Sequence, residues 1–244
     1  MADTKIFKNN PIKEALIDIH IDPNLVQSIS DLEQFRTALS GFDGDKKTLH
    51  LMETKFDLKA QESHTSQIAI EGYQFWSNDK TEVIHCRRDG FAFSRLKPYD
   101  EWKNHFPRMI EHWEKYRDTF KPVHVKRIAV RFINQFEIPH NEFELKDYFN
   151  SSPDLPVKIE HTIENFVQRL VIKSDSDIYA VITFSSSRPT VPNITPIILD
   201  FDIYKNFRIA ANSELIVNEF EQLHIFADKL FSSYITEKTE GLIK

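Results

Sequence analysis

The same succession of hydrophobic periodicities occurs twice along the 244 residues, and no other property of the chain narrows its fold as far. Ala15, Ile17, Ile19 and Ile21 alternate in the manner of a half-buried strand that ends at Asp22-Pro23. A short helix follows: Ser30 with Glu33 three residues on reads as a capping box, Leu32, Phe35 and Leu39 share a face, and Gly41 is the stop. Strands are expected at about 48–58, 67–76, 82–88 and 91–97, the last two joined through Asp89-Gly90 as a tight hairpin. A long helix from about Asp100 to Phe120 then carries Trp102, Phe106, Met109, Trp113, Tyr116 and Phe120 as one narrow apolar stripe. Pro107 predicts a kink in it, or a helix start near Phe106.

The second half repeats this order. Ile128, Val130, Phe132, Phe136 and Ile138 alternate as a strand ending at Pro139, and Asn141 with Glu144 offers a cap for a short helix holding Leu145, Tyr148 and Phe149. Strands are expected at about 157–173, 178–185 and 196–204. The closing helix, from about Ser213 to Tyr234, turns Ile216, Phe220, Leu223, Ala227, Leu230 and Tyr234 inward. The expected fold class is α+β: an internally duplicated strand–helix–strands–helix unit, with residues 1–120 and 121–244 as the first and second repeats. The linker Phe120-Lys121-Pro122-Val123 is short and lacks a Gly or Ser run, so the repeats are expected to pack as a single domain. Side by side they would give a curved antiparallel sheet with the long helices on one face, similar in element order to a TATA-binding-protein-like saddle.

Composition bounds the class further. A hydrophobic content of 41% with 20 Phe is that of a folded chain, and no apolar run approaches the roughly 18 residues of a membrane span. Met1-Ala2-Asp3-Thr4-Lys5 lacks the apolar region of a signal peptide, so a cytoplasmic protein with no membrane partner is expected. The lone Cys86 falls inside a predicted strand, where it reads as core rather than as a nucleophile. Charge is uneven: residues 87–131 hold 12 Lys/Arg against 6 Asp/Glu in a chain whose net charge is −6. A basic segment of this kind is either a solvated face or a local anion site.

Catalytic grammar is missing. Five glycines, at 41, 44, 72, 90 and 241, make no phosphate cradle or dinucleotide fingerprint, and no cofactor is expected. The ten histidines contain no His-Glu-x-x-His motif; His105 and His112 share a helix face without a third ligand beside them. Asp200 and Asp202, two apart on a strand, could hold a hard cation or lie on a solvated face, and a third reading is an enzyme with a cryptic acid–base site around Asp200, Asp202 and His161. Ser185-Ser186-Ser187-Arg188-Pro189 lacks a nucleophile elbow and sits at a strand end before a Pro-rich loop through Pro196, so it reads as a turn. The candidate anion- or partner-binding group is Arg87, Arg95, Arg127 and Arg131, from strands that the duplication would bring close, with Tyr99 and Trp102 at the helix entry. Guanidinium forks beside aromatic planes suit phosphate, carboxylate or base stacking, and suit cross-strand salt bridges equally.

Three strings add a resemblance. Asn10-Pro11-Ile12-Lys13-Glu14-Ala15, Asp89 to Trp102 (DGFAFSRLKPYDEW), and Arg127 to Asn134 (RIAVRFIN) together resemble a sporadically distributed, uncharacterised prokaryotic protein family of about this length. The family brings no catalytic residues. Its patchy occurrence implies a mobile or accessory role, such as phage defence or a toxin-linked gene pair. In physical terms Glu14 could pair with Arg95 or Arg131, and Asn134, beside Phe132 and Phe136, would be a buried amide that needs partners.

The expectation from sequence is therefore a non-catalytic binding or accessory protein with a protein partner. The alternative is a nucleic-acid-binding or nucleic-acid-processing component of a defence system, acting through the basic 87–131 segment. Homodimerisation is a further expectation, because a long sheet edge must be covered.

Overall fold

The computed structural model describes residues 7–22, 28–57, 62–139, 144–153, 165–187 and 192–244. Among these, nine strands form one antiparallel sheet: β1 (Ile12–Ile21), β2 (Lys46–Asp57), β3 (Glu62–Trp76), β4 (Glu82–Arg87), β5 (Gly90–Leu96), β6 (His124–Pro139), β7 (Val167–Lys173), β8 (Ile178–Ser186) and β9 (Ile194–Ala210). Five helices accompany them: α1 (Ile29–Gln34), α2 (Trp102–Phe120), α3 (Leu145–Tyr148), α4 (Leu215–Tyr234) and α5 (Glu237–Ile243). The protein is thus a mixed α+β structure with an open sheet. Strand order is β2-β3-β4-β5-β1-β6-β9-β8-β7, which puts β1 and β6 side by side at the centre.

Alternation decides which face is covered. Ala15, Ile17, Ile19 and Ile21 of β1 are buried, and in register with them lie Phe91 and Phe93 on β5 and Ile128, Val130 and Phe132 on β6. The long helices pack on that face. Trp113 and Tyr116 of α2 meet the ring of Phe91, Trp102 meets Phe132, and Tyr234 at the end of α4 meets Phe201 of β9. Phe106 against Phe220, 5.7 Å between centroids, joins the two helices. The α2 stripe expected from spacing is buried from Trp102 to Tyr116, with His112 added to it. Asn134 is buried as an amide, and its Nδ2 donates to the carbonyls of Leu199 (3.0 Å) and Phe132 (3.3 Å).

Several local expectations are corrected. The capping box of α1 is Ser28 with Asp31, not Ser30 with Glu33: Ser28 Oγ accepts from the Asp31 amide at 3.2 Å, and Asp31 Oδ2 accepts from the Ser28 amide at 3.0 Å. Two Ser-x-x-acid pairs overlap here, and Glu33 is taken by Lys46 instead. α2 begins at Trp102 and holds Pro107 in its second turn. β9 runs past the expected 196–204 at both ends, and α5 was not legible at all. At the head of α3, Glu144 makes no side-chain cap. Asn141, His161, Arg188, Pro189, Pro23, Met1–Lys5 and the start of the expected 157–173 strand lie outside the described residues.

The hairpin through Asp89-Gly90 is corrected as well. Arg88 and Asp89 make the turn, and Gly90 is the first residue of β5, paired with Arg87 on one side and His20 on the other. A Cβ at Gly90 would lie 2.1 Å from the Ile19 carbonyl oxygen, so the requirement is close approach of β1 and not an unusual turn angle. Gly90→Ala is expected to cost at least the ~1–3 kcal/mol of an overpacked interior, measured as a lowered urea midpoint. A midpoint equal to wild type would show that β1 and β5 can part without penalty.

Candidate functional site

The face of the sheet opposite the helices carries a row of paired charges. Asp18 projects there from β1, flanked by Ala92 on β5 and Ala129 on β6, and these small neighbours leave room for long side chains to reach it. Arg87 Nη2 donates to Asp18 Oδ1 at 2.5 Å and Arg127 Nη1 to Asp18 Oδ2 at 3.0 Å. His20, also on β1, lies 2.9 Å from Asp18 and 3.1 Å from Asp89, and Arg87 Nε donates to Asp89 at 3.2 Å. One strand further, Arg131 forks onto both oxygens of Asp200, at 2.9 and 2.7 Å, and Arg127 stands 3.6 Å from Asp202. Arg127 also lies over the ring of Tyr204, 4.6 Å from its centroid, and Tyr204 stacks on Tyr179 at 5.2 Å.

This geometry sets the protonation states. Hydrogen bonds to Asp18 and Asp89 raise the His20 pKa to about 9, against the opposing effect of burial, so the ring is cationic at neutral pH. Burial pushes the Asp18 carboxyl up, but the His20 hydrogen bond and the Arg87 charge outweigh it and hold the group well below the usual carboxylate range. Asp89, subject to the same opposition, is lowered to about 2. A raised histidine contributes stability that is full below its unfolded value near 6.5 and is lost as pH rises through about 9. With 27% of the His20 side chain exposed, the expected loss between pH 6 and 10 is on the order of 1–3 kcal/mol. His20→Ala should abolish that part of the pH dependence in urea titrations.

The six residues singled out in the sequence do not form one group. Arg87, Arg127 and Arg131 come together on the open face. Arg95, Tyr99 and Trp102 belong to the helix side. There Glu82, buried, accepts Arg108 Nε at 2.8 and 2.9 Å with Arg95 at 3.6 Å. Trp102 is stacked by the protein's own rings on both sides, Phe106 at 4.4 Å and His224 at 4.5 Å, while its Nε1 donates to Glu221 of α4. It fastens α2 to α4 and presents no free ring face to a base. Tyr99 is buried against His105, and burial pushes its phenol pKa up. The carboxylates ion-paired to Arg95 and Arg131 are Glu82 and Asp200, and Glu14, which the sequence suggested, acts on Arg131 only as a weaker charge.

Other candidates resolve in the same way. Asp200 and Asp202 each face an arginine, Asp200 largely buried against Arg131 and Asp202 a third exposed beside Arg127. Burial raises Asp202, with Arg127 opposing it. His105 meets Asp100, whereas His112 is sealed between Phe42 and Phe93, where burial lowers it to about 4 and keeps it neutral. Among the described residues no group of three or more His, Cys, Asp or Glu could hold a metal ion. Cys86 is buried, and its thiol pKa is pushed up for that reason. Ser185 and Ser186 close β8, the strand end at which the sequence placed them.

Sequence reasoning missed Asp18, His20, Asp89, Tyr179 and Tyr204. The one available signal was Asp18 and His20 at polar positions of an alternating strand, which a solvated face would give equally. Among the described residues no helix is long and apolar enough to cross a membrane. Comparison with protein-family models, curated proteins and solved structures gave no match.

Proposed function

We propose that the protein is a non-catalytic binding or accessory protein whose partner is another protein, and that the contact surface is the open sheet face around Arg127, Tyr204 and Tyr179. The observation that carries this is charge compensation. Asp18, Glu82, Asp200 and Asp202, all from outside the basic segment 87–131, are ion-paired to Arg87, Arg95, Arg108, Arg127 and Arg131. They offset four of the six excess positive charges of that segment. A polyanion is held by cations whose counterions it can release, and these cations already have fixed carboxylates. Tyrosine beside arginine on a half-buried, charge-balanced face is instead the composition of protein–protein hot spots.

The finer architecture belongs to the same reading. β1 and β6 pair at the centre; β5, β4, β3 and β2 follow on one side and β9, β8 and β7 on the other; each half carries a long helix after its strands, on the covered face. Five strands on one side of the seam and four on the other, in mirrored order, support a reading as two packed copies of a strand–helix–strands–helix unit, in which the open face would be the concave side of a saddle.

The test is native purification from the source cell at physiological salt, comparing wild type with the Tyr179→Ala/Tyr204→Ala double variant. The expected result is a stoichiometric protein that accompanies the wild type and is lost at least about tenfold from the variant, the effect of removing two hot-spot rings. Nucleic acid that accompanies both forms and is released by salt would overturn the proposal in favour of polynucleotide binding. In direct titration, polynucleotide affinity of the wild type is expected to be weak, and Arg127→Ala with Arg131→Ala should leave it unchanged.

A further inference from the structure

The edge strand β7 carries the inference. Its seven residues, Val167 to Lys173, pair with β8 on one side and, among the described residues, with no strand on the other. Ser186 donates to Phe166 O and Ser174 donates to Ile178 O, so the even-numbered residues of β7 direct their backbone groups at β8. The amides and carbonyls of Val167, Arg169, Val171 and Lys173 therefore point out of the sheet. Val167 is 77% exposed, Val171 57% and Leu170 40%, an exposed apolar run along this edge strand. An open edge with such side chains is a template for another strand.

We infer that the occupant is a second copy of this chain, joined β7 to β7 in antiparallel fashion about a two-fold axis through Leu170. The strand's own charges select that register. Centring the axis on Leu170 overlaps all seven residues, with Leu170 facing its symmetry mate, Arg169 facing Val171 of the second copy, and Val167 facing Lys173 of the second copy. Shifting the axis by one residue to Arg169 sets two guanidinium groups opposite each other; shifting it to Val171 sets Arg169 opposite Lys173. Both place like charges in directly paired positions, which destabilises a sheet. The Leu170 register avoids this and lays each cation's aliphatic stem against a valine. The contact is isologous, so it consumes the edge in both copies and closes at two subunits instead of growing. A seven-residue strand buries less than the standard interface of roughly 1,200–2,000 Å², so the dimer is expected to be weak and concentration-dependent.

The experiment uses the full chain and engineered cysteines, since the native Cys86 is buried. Leu170 would occupy a non-hydrogen-bonded pair with its own mate, at a Cα separation of about 4.5 Å, within disulfide range. Leu170→Cys is expected to give a covalent dimer under mild oxidation, and Val171→Cys is not. By sedimentation, Val171→Glu, which sets a carboxylate opposite Arg169, is expected to raise the association constant roughly 2- to 30-fold through two symmetry-related pairs, and Val171→Lys to lower it by a similar factor. These positions are exposed, so unchanged melting temperatures will separate loss of association from loss of fold. A monomer at every concentration up to the solubility limit, or cross-linking through position 171 rather than 170, would overturn the proposal.

Discussion

Asp18→Ala is expected to lower the free energy of unfolding by about 3–5 kcal/mol, seen as a fall in urea midpoint at an unchanged m-value. The side chain is 14% exposed and receives two guanidinium groups and an imidazolium, from β4, β6 and β1. Its removal leaves Arg87, itself only 15% exposed, with Asp89 alone at 3.2 Å, and leaves Arg127 with Asp202 at 3.6 Å. The penalty is that of stranding buried charge, so Asp18→Asn, which keeps the shape, should cost nearly as much. A mild Asp18→Asn and a costly Asp18→Ala would instead assign the loss to packing. In Asp18→Asn the His20 pKa should fall from about 9 toward its ordinary value, because the hydrogen-bond partner that raises it most has lost its charge. Acid acts on the same site with the opposite sign. Asp18 and Asp89 have depressed pKa values, so their contribution is present above the unfolded carboxylate value near 3.9 and is lost as pH falls toward their folded values. The substitution also bears on function. At pH 6, below the ordinary histidine value, His20 stays cationic without Asp18, so the open face then carries an unmatched positive charge, and retention on a heparin column at that pH should move to higher salt than wild type.

What could be read in the sequence divides along the range of the forces involved. The stripes of α2 and α4 and the alternation in β1 and β6 were legible because one period and one buried face set them locally, and Trp102, Phe106, Met109, Trp113 and Tyr116 lie where spacing placed them. Boundaries were less so: Ser28 and Ser30 both stand three before an acid, and tertiary capture of Glu33 by Lys46 breaks the tie. Gly90 reads as a turn residue in isolation, and only the neighbouring β1 backbone shows why no side chain fits. α5 is short, and its seat is remote in sequence, with Thr239 Oγ1 donating to the Tyr148 carbonyl and the Ile243 carbonyl accepting from the Asn9 amide. The candidate site was half visible. Arg127 and Arg131 on one face followed from alternation, but Asp18 lies 69 residues from Arg87 and 109 from Arg127, and no local pattern marks a carboxylate as the partner of either. Trp102 misled for a related reason: an aromatic at a helix entry offers a stacking plane, and His224 had already taken it.

Trp113→Ala is expected to cost about 3–5 kcal/mol, the range for deleting a large buried aromatic side chain. Trp113 is 2% exposed and touches Phe91 of β5 and Tyr116 one turn on. Tyr116 in turn donates to the Arg87 carbonyl at 2.8 Å, so the same turn of α2 that fills the core also ties down the strand bearing an open-face arginine. Against a total stability of roughly 5–15 kcal/mol, the loss should bring the variant close to its unfolding transition at growth temperature. Val167→Ala, at a position 77% exposed, should change stability by no more than about 0.5 kcal/mol and provides the contrast. Trp113→Ala and Tyr116→Ala should not add, because each ring lies against the other and the first cavity already loosens the second. A cost below about 1 kcal/mol for Trp113→Ala would mean that α2 is not held to the sheet by this stripe. The Arg108–Glu82 pair would then have to anchor it, and Glu82→Ala would become the more damaging change.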